Sequence, residues 1–144
     1  MDRTLIKKYI DNQPQKIVTK MDLDKNKIEY QGILQGQIIN EIKGDEEMSR
    51  SFILTRLVNE LGYSPDRIEI EHEYTAGRPH TNTSRIDIVV RDAEGNAFLF
   101  IECKSPDAYA SDDRDQIIEE QLYKVAGMER TEGNSVRYLV LYTT

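Results

Sequence analysis

Two acids and a lysine stand at positions that two neighbouring β-strands would bring together. Asp87 lies in an apolar strand-like run, and Glu102 and Lys104 end the next such run. Side chains alternate between the two faces of a strand, so Glu102 and Lys104 point the same way. If residues 93–96 form a four-residue turn, opposed positions sum to 189 and Asp87 lies across from Glu102.

Two carboxylates directly across a ladder repel each other unless a positive charge compensates them. A hard divalent cation with oxygen ligands would provide that charge, and Lys104 would stand beside it. The main-chain carbonyl of Cys103, between Glu102 and Lys104, is a further candidate oxygen ligand. The competing interpretation is a solvated hairpin with alternating charges, since 31% of the residues are charged.

Apolar side chains occupy both faces of the two strands. One face carries Ile86, Ile88, Val90, Leu99, Ile101 and Cys103, and the other carries Val89, Phe98 and Phe100. A hairpin that is apolar on both faces is typical of a sheet interior covered by helices. The three charges therefore lie at the border of a buried layer, where uncompensated carboxylates are costly.

The segment from Asp87 to Glu102-Cys103-Lys104-Ser105-Pro106 resembles the PD-(D/E)XK nuclease signature. More widely, the chain is similar to the N-terminal nuclease domain of type I restriction enzyme R subunits. The resemblance runs from about Asp45 to the C-terminus and takes in Glu46-Glu47, Arg50, residues 61–65, Glu73, Gln121-Leu122 and residues 136–144. The chain departs from the family's Gln-x-x-x-Tyr pattern because Val125 follows Gln121.

The periodicity of the chain predicts an α/β fold in which helices flank a mixed central sheet. The predicted helices are 45–61 and about 112–129, and the predicted strands are 67–74, 84–90, 98–104 and 136–142. The resemblance implies that this sandwich is the PD-(D/E)XK, or restriction endonuclease-like, fold. We expect a nuclease-like domain at 44–144. A small extension at 1–43 would contain a helix at 4–12 and a strand or hairpin at 27–43.

The resemblance implies a Mg²⁺-dependent endodeoxyribonuclease of a restriction–modification system, with Mn²⁺ as a substitute ion. Asp87, Glu102 and the Cys103 carbonyl would hold the metal. Lys104 would orient the attacking water or stabilise the charge of the transition state. The predicted reaction is hydrolysis of a DNA phosphodiester bond.

Two helical residues complete the predicted catalytic set. The family commonly uses an acid on its first helix to assist metal binding through water, and we choose Glu47 over Glu46 for this role. Gln121 would hydrogen-bond a metal-bound water or a phosphate oxygen, or else satisfy a main-chain group at a strand end. Arg50 falls within the apolar stripe of its helix, which predicts a carboxylate partner among Glu46, Glu47 and Glu73.

The acid-free loop 76–85 is the candidate surface for a phosphate backbone, through Arg78, His80 and Arg85. An ordinary solvated loop is the alternative. Acidic side chains dominate elsewhere: the net charge is −7, which argues against strong DNA binding by this domain alone. The alternating acids Glu69, Glu71 and Glu73 predict a water-exposed strand face.

The resemblance implies that partners deliver DNA: methyltransferase and specificity subunits, or fused domains of the same system. A Gly-x-x-x-x-Gly-Lys-Ser/Thr loop does not occur, so ATP would act only through a motor outside this chain. The single cysteine excludes an intramolecular disulfide. Without a long apolar run or signal-like start, we expect no membrane association and a cytoplasmic protein.

Two alternatives remain open at this point. In one, the fold is kept without activity, leaving a module that binds nucleic acid or docks a subunit. Val125 and the negative net charge favour this alternative. In the other, the chain is an acidic protein-interaction domain.

Overall fold

A five-stranded mixed sheet forms the centre of the computed structural model, which describes residues 1–14, 18–76, 82–110, 114–131 and 136–144. The strands are β1 (Val18–Asp22), β2 (Lys27–Gln31), β3 (Leu34–Gln35), β4 (Ile68–Ala76), β5 (Asn82–Arg91), β6 (Ala97–Cys103) and β7 (Tyr138–Tyr142). The helices are α1 (Arg3–Asp11), α2 (Asp45–Asn59), α3 (Pro106–Ala110), α4 (Arg114–Ile117) and α5 (Lys124–Thr131). The sheet order is β3-β4-β5-β6-β7, while β1 and β2 form a separate hairpin.

Helix α2 covers one face of the sheet. Its first turn is acidic, which suits the positive end of a helix dipole, and the chain turns away at Gly62 with φ +75°. Met48, Leu54 and Leu57 are almost fully buried. They belong to a cluster of buried apolar side chains that also contains Ile88 and Ile101 of the sheet, which we call the first apolar cluster. Burial of these side chains holds the start of α2 next to the end of β6, where the Ser49 hydroxyl donates to the Lys104 carbonyl at 3.3 Å.

The opposite face is covered by the helical run 114–131. A π-helical segment, Ile118–Tyr123, joins α4 to α5. Leu122 and Val125 are buried there against Phe100 in the second apolar cluster. Both faces of the sheet are thus covered, as the apolar hairpin predicted. In the described helices no segment has the combined length and hydropathy needed to cross a bilayer.

The register of β5 on β6 matches the prediction, although the turn does not. Ile88 pairs with Ile101 and Val90 with Leu99, so opposed positions sum to 189. The predicted four-residue turn at 93–96 is wrong, because the ladder shifts between Val90 and Arg91 and Arg91 pairs with Ala97. This irregularity absorbs one residue of the connection, so the register towards Asp87 is preserved.

The predicted grouping of Ile86 with Ile88 and Val90 is wrong. Ile86 packs in the second apolar cluster with Val89, while Ile88 packs in the first. The alternation breaks at Asp87, opposite Glu71. The β4–β5 ladder pairs Ile70 with Ile88 and then His72 with Ile86, and Glu71 between them has a φ of +54°. A non-glycine residue in this left-handed region re-aims its side chain and interrupts the strand.

The first 43 residues share the core of the rest. Ile10 of α1, Met21 of β1 and Ile28 of β2 lie in the same apolar cluster as α2. The Tyr9 ring packs on Phe52 with ring centroids 4.8 Å apart. The boundary at residue 44 stays a prediction, but the apolar core crosses it.

Candidate active site

The carboxylate of Asp87 lies against the main chain of β6. Its Oδ2 accepts a hydrogen bond from the Cys103 amide at 2.6 Å, and its Oδ1 accepts one from Arg50 Nη2 at 2.6 Å. Only 8% of Asp87 is exposed. Because Cys103 directly follows Glu102, these contacts place the Asp87 carboxylate one peptide unit from the second predicted acid.

Glu102 is buried and only half satisfied. Its Oε1 accepts a hydrogen bond from Lys104 Nζ at 2.8 Å, whereas its Oε2 is buried without a hydrogen-bond partner. Lys104 Nζ also lies 3.6 Å from Glu46 Oε2 at the start of α2. An unsatisfied buried carboxylate oxygen is costly, and either a proton or a bound cation would reduce that cost.

The pKa values reflect crowding of negative charge. Burial, and after it repulsion from Asp87, raises the pKa of Glu102 to about 7. The same two causes raise the pKa of Glu46. Burial lowers the pKa of Lys104, but Glu102 and Glu46 together raise it above its ordinary value. The lysine is therefore a fixed positive charge at neutral pH.

Arg50 is buried beneath the site and joins three carboxylates. Its Nη1 donates to Glu47 Oε2 at 3.0 Å, and its Nη2 donates to Glu71 Oε1 at 2.5 Å and to Asp87 Oδ1. The prediction of a carboxylate partner among Glu46, Glu47 and Glu73 is confirmed by Glu47, while the contacts with Glu71 and Asp87 were not predicted.

The contact between Arg50 and Glu71 has a local cause. The positive φ of Glu71 turns this residue towards the buried guanidinium, so only 13% of its side chain is exposed. The expectation that Glu71 faces water is therefore also wrong, while Glu73 lies exposed and pairs with Arg85 at 3.3 Å. On the far side of the network, Tyr30 of β2 donates its hydroxyl hydrogen to Glu47 Oε1 at 2.6 Å.

The two first-helix acids have different surroundings. Glu47 is held by Tyr30 and Arg50, whereas Glu46 is 40% exposed and lies beside Lys104. The catalytic role chosen for Glu47 stays a prediction, and the geometry brings Glu46 to the Glu102–Lys104 pair instead.

Among the described residues, five carboxylates and three cations make up this region. The carboxylates are Glu46, Glu47, Glu71, Asp87 and Glu102, and the cations are Arg50, Lys104 and Arg85, which lies 3.8 Å from Glu71. Within the described ranges, no three His, Cys, Asp or Glu side chains form a ready-made metal cage. Mg²⁺ seldom needs one, since it commonly binds through one or two carboxylates and keeps several waters. The excess negative charge and the unsatisfied Glu102 Oε2 fit such an ion.

Of the remaining predicted residues, the structure describes the side chains of Cys103 and Arg85. The Cys103 side chain lies in the first apolar cluster, and burial raises the pKa of its thiol well above the ordinary value, so a thiolate ligand is disfavoured. Its proposed carbonyl ligand remains a prediction. Gln121 belongs to the π-helical segment, but its side chain, like Arg78 and His80, lies outside the described residues. Arg85 is 49% exposed and donates to Gln37 Oε1 at 2.6 Å.

A polar cleft of about 280 Å³ opens beside the network and gives it access to solvent. Glu46 and Arg50 line the cleft towards the site, and Lys43 and Arg85 contribute positive charge to its walls. The lining also includes Glu47 and Glu71 but not Asp87, Glu102 or Lys104, so the cleft opens to the Arg50 side of the network.

Sequence reasoning missed two members of the network, Tyr30 and Glu71. A buried tyrosine in an alternating strand gives no sign of its partner, and a left-handed glutamate has no sequence signature. The available signal was charge: a buried Arg50 requires more than one carboxylate nearby.

A sequence model of one protein family matches residues 45–129, which is more than half of the chain. The family is described as type I restriction enzyme R protein N terminus. The matched span contains α2, β4, β5 and β6, and therefore every member of the charged network except Tyr30. No curated protein matches the chain.

Proposed function

Because the chain belongs to the family of type I restriction enzyme R protein N termini, we propose that it is the metal-dependent DNA endonuclease domain of a restriction–modification system. Membership of this family implies a role in a restriction system. The observation that carries the nuclease proposal is the buried Glu102 Oε2, unsatisfied beside the Asp87 carboxylate and next to Lys104.

In this proposal Asp87 and Glu102 hold Mg²⁺ or Mn²⁺, and the Cys103 carbonyl is the candidate third protein oxygen. The bound ion would polarise a phosphoryl oxygen and lower the pKa of a bound water. The protein's own contribution is placement: Cys103 N–H and Arg50 fix Asp87, and Lys104 fixes Glu102.

Lys104 is the proposed electrostatic catalyst. Its side chain is 12% exposed and its ammonium group is held between Glu102 and Glu46, so its position is already fixed before substrate arrives. A preorganised cation next to the reacting phosphate stabilises the extra negative charge of the transition state. Glu46 then supports Lys104, in addition to the predicted assisting acid Glu47 and the predicted Gln121.

The PD-(D/E)XK fold is part of the same proposal. The mixed five-stranded sheet, with an acid on β5 and Glu-x-Lys at the end of β6, supports this fold, as does the covering of both faces by helices. We propose that other parts of the restriction system deliver DNA, because the chain has a net charge of −7. Arg85, with Arg78 and His80, remains the proposed phosphate contact. Methyltransferase and specificity subunits, or fused domains, are the proposed partners, and ATP would act through a separate motor.

The test is Lys104→Ala in the protein assembled with its restriction partners and supplied with Mg²⁺. We expect cleavage to fall by about 100-fold or more, because one preorganised charge contact to the transition state is lost. DNA binding and any ATPase activity should stay near wild type, and exposed Lys124→Ala serves as the matched control. Cleavage by Lys104→Ala at wild-type rates would contradict the proposal.

A second candidate is an inactive module of the same fold that docks a subunit or binds nucleic acid. It is favoured because both Asp87 oxygens already accept hydrogen bonds, from Arg50 and from the Cys103 amide. The two candidates differ in metal response. A nuclease should show a higher melting temperature when Mn²⁺ is added, and the increase should disappear in Glu102→Gln. An inactive module should show no such increase.

A further inference from the structure

Four buried side chains link the N-terminal hairpin to the end of β6. The Tyr30 hydroxyl donates to Glu47 Oε1 at 2.6 Å, and Arg50 Nη1 donates to Glu47 Oε2 at 3.0 Å. Arg50 Nη2 then donates to Asp87 Oδ1, whose other oxygen accepts from the Cys103 amide, each at 2.6 Å. The hydrogen bonds thus form a continuous relay from β2 to β6.

The relay is shielded from water along its length. Tyr30 is 4% exposed, Glu47 6%, Arg50 3% and Asp87 8%. Each of the two carboxylates uses one oxygen for each neighbour in the relay, so neither can rotate without breaking a bond. Hydrogen bonds to charged groups are strong where water cannot compete.

We propose that Tyr30 is a positioning residue, which acts through Glu47 and Arg50 to fix the carboxylate of Asp87. The relay itself is independent of metal chemistry, and its importance for the site rests on the proposed function of Asp87 as a metal ligand. Tyr30 lies outside the family-matched span of residues 45–129. The N-terminal hairpin therefore belongs to the machinery of the site.

The hydroxyl group is the part of Tyr30 that matters for this role. The ring is packed in the first apolar cluster, and a phenylalanine ring would fill the same space. Only the hydroxyl reaches Glu47, and burying it is costly unless it is hydrogen-bonded. Its removal frees one oxygen of Glu47 and loosens the orientation of Arg50 towards Asp87.

The experiment compares Tyr30→Phe with Tyr9→Phe in the full chain. Tyr9 is a matched control because its hydroxyl also donates from the N-terminal segment to a carboxylate, Glu60 Oε1 at 2.5 Å, and Glu60 caps the C-terminal end of α2. The first measurement is the amide proton of Cys103 by NMR in the metal-free protein. We expect its chemical shift to change and its hydrogen exchange to accelerate in Tyr30→Phe, but not in Tyr9→Phe.

The second measurement is the dissociation constant for Mn²⁺ by calorimetry. Direct partners of metal ligands change metal affinity by about 10–100-fold. Because Tyr30 acts through two further residues, we expect Tyr30→Phe to weaken Mn²⁺ binding by about 3- to 10-fold. Tyr9→Phe should bind Mn²⁺ like the wild type. Glu47→Gln should change both measurements in the same direction as Tyr30→Phe, since it weakens the hold on Arg50.

The two measurements separate the inference from the proposed function. A Cys103 amide that is unchanged in both Tyr30→Phe and Glu47→Gln would overturn the relay. An altered amide with unchanged Mn²⁺ affinity would overturn the positioning role and leave Tyr30 structural. If the wild type binds no Mn²⁺, the metal site and with it the positioning role fail, while the amide still decides whether the relay exists.

Discussion

Glu102 is a buried carboxylate whose surroundings are unfavourable in the metal-free protein. Its Oε2 is buried without a hydrogen-bond partner, and Asp87 repels its charge. Lys104 offsets part of this cost through Oε1. A buried carboxylate with a raised pKa and a second acid nearby is a feature of many functional sites.

This conflict predicts how stability depends on pH. The pKa of Glu102 is raised to about 7 from an ordinary 4.5, so the folded state holds the proton more tightly than the unfolded state between these values. Stability should therefore fall as the pH rises through this window. Gln cannot lose a proton in this range. In metal-free protein, the free energy of unfolding of Glu102→Gln relative to wild type should therefore increase by about 1–3 kcal/mol as the pH rises from about 5 to about 8. Urea denaturation at each pH measures the difference.

The control for this prediction is exposed Glu29→Gln on β2. Its stability relative to wild type should change little across the same pH range. A difference between Glu102→Gln and wild type that is independent of pH would show that the Glu102 proton does not contribute.

Asp87 leads to a different expectation. Repulsion from Glu102 alone would make Asp87→Asn neutral or stabilising, but Arg50 and the Cys103 amide both donate to this carboxylate. We expect Asp87→Asn to lower the free energy of unfolding by about 1–3 kcal/mol, because buried Arg50 loses a charged partner. Thermal and urea unfolding measure the loss, and exposed Asp107→Asn should be neutral. Equal stability of Asp87→Asn and wild type would mean that repulsion dominates.

At the residue scale, strand alternation and the register of the two apolar runs predicted that Asp87 approaches Glu102, although the predicted turn was wrong. They were not enough to predict Arg50 at Asp87, because that contact joins α2 to β5 across 37 residues. Tertiary contacts of this kind depend on helix placement, which the periodicity of one helix does not determine.

At the element scale, the kink of β4 at Glu71 shapes the site. Gly36, just after β3, donates its amide hydrogen to the Ile70 carbonyl at 2.9 Å, which brings its main chain close to the kink. A Cβ added to Gly36 would overlap the Glu71 carbonyl oxygen. The close approach of these two backbones therefore requires glycine at position 36.

We predict that Gly36→Ala destabilises the protein by about 1–3 kcal/mol, the usual cost of overpacking, because backbone atoms must move. Gly127→Ala is the matched control: it lies in α5 with nothing within 4 Å of the added Cβ. That control should be neutral or stabilising by up to about 1 kcal/mol. Chemical denaturation measures both variants, and a neutral Gly36→Ala would show that β3 can shift without cost.

The strand faces show where element-level prediction succeeds and fails. The ladder of β5 on β6 follows from two apolar runs and a short turn. The face of Ile86 could not be predicted, because a left-handed glutamate in the neighbouring strand changes the local pleat and leaves no residue-type signature.

At the scale of the whole molecule, the N-terminal segment and the family-matched region form a single packing unit. Ile6, Ile10, Met21, Ile28, Tyr30 and Ile42 all lie in the first apolar cluster. Fully burying one large apolar side chain contributes about 1.5–3 kcal/mol, while a typical domain is stable by only about 5–15 kcal/mol.

We therefore predict that a fragment of residues 44–144 does not fold cooperatively, because the six buried side chains that it lacks outweigh a typical stability. Circular dichroism melting and NMR dispersion measure this, with the full chain as reference. A sharp melting transition in the fragment would instead support an independent domain that begins at residue 44. Sequence alternation predicted a strand or hairpin at 27–43, and the structure has the strand β2 there, but β2 pairs with β1 of residues 18–22. The alternation also did not predict that the apolar face of this hairpin completes the core under α2.

The position of β6 has a consequence for how the protein folds. β6 pairs antiparallel with β5 and parallel with β7, and the parallel partner arrives only after a helical crossover. Parallel pairing across such a distance is slow, because loop closure must precede the contacts that reward it. Until β7 docks, β6 is an open sheet edge with apolar side chains on both faces. Short apolar strands of this kind tend to pair with copies of themselves. We therefore expect a newly made chain to be most exposed to aggregation in the interval before β7 docks.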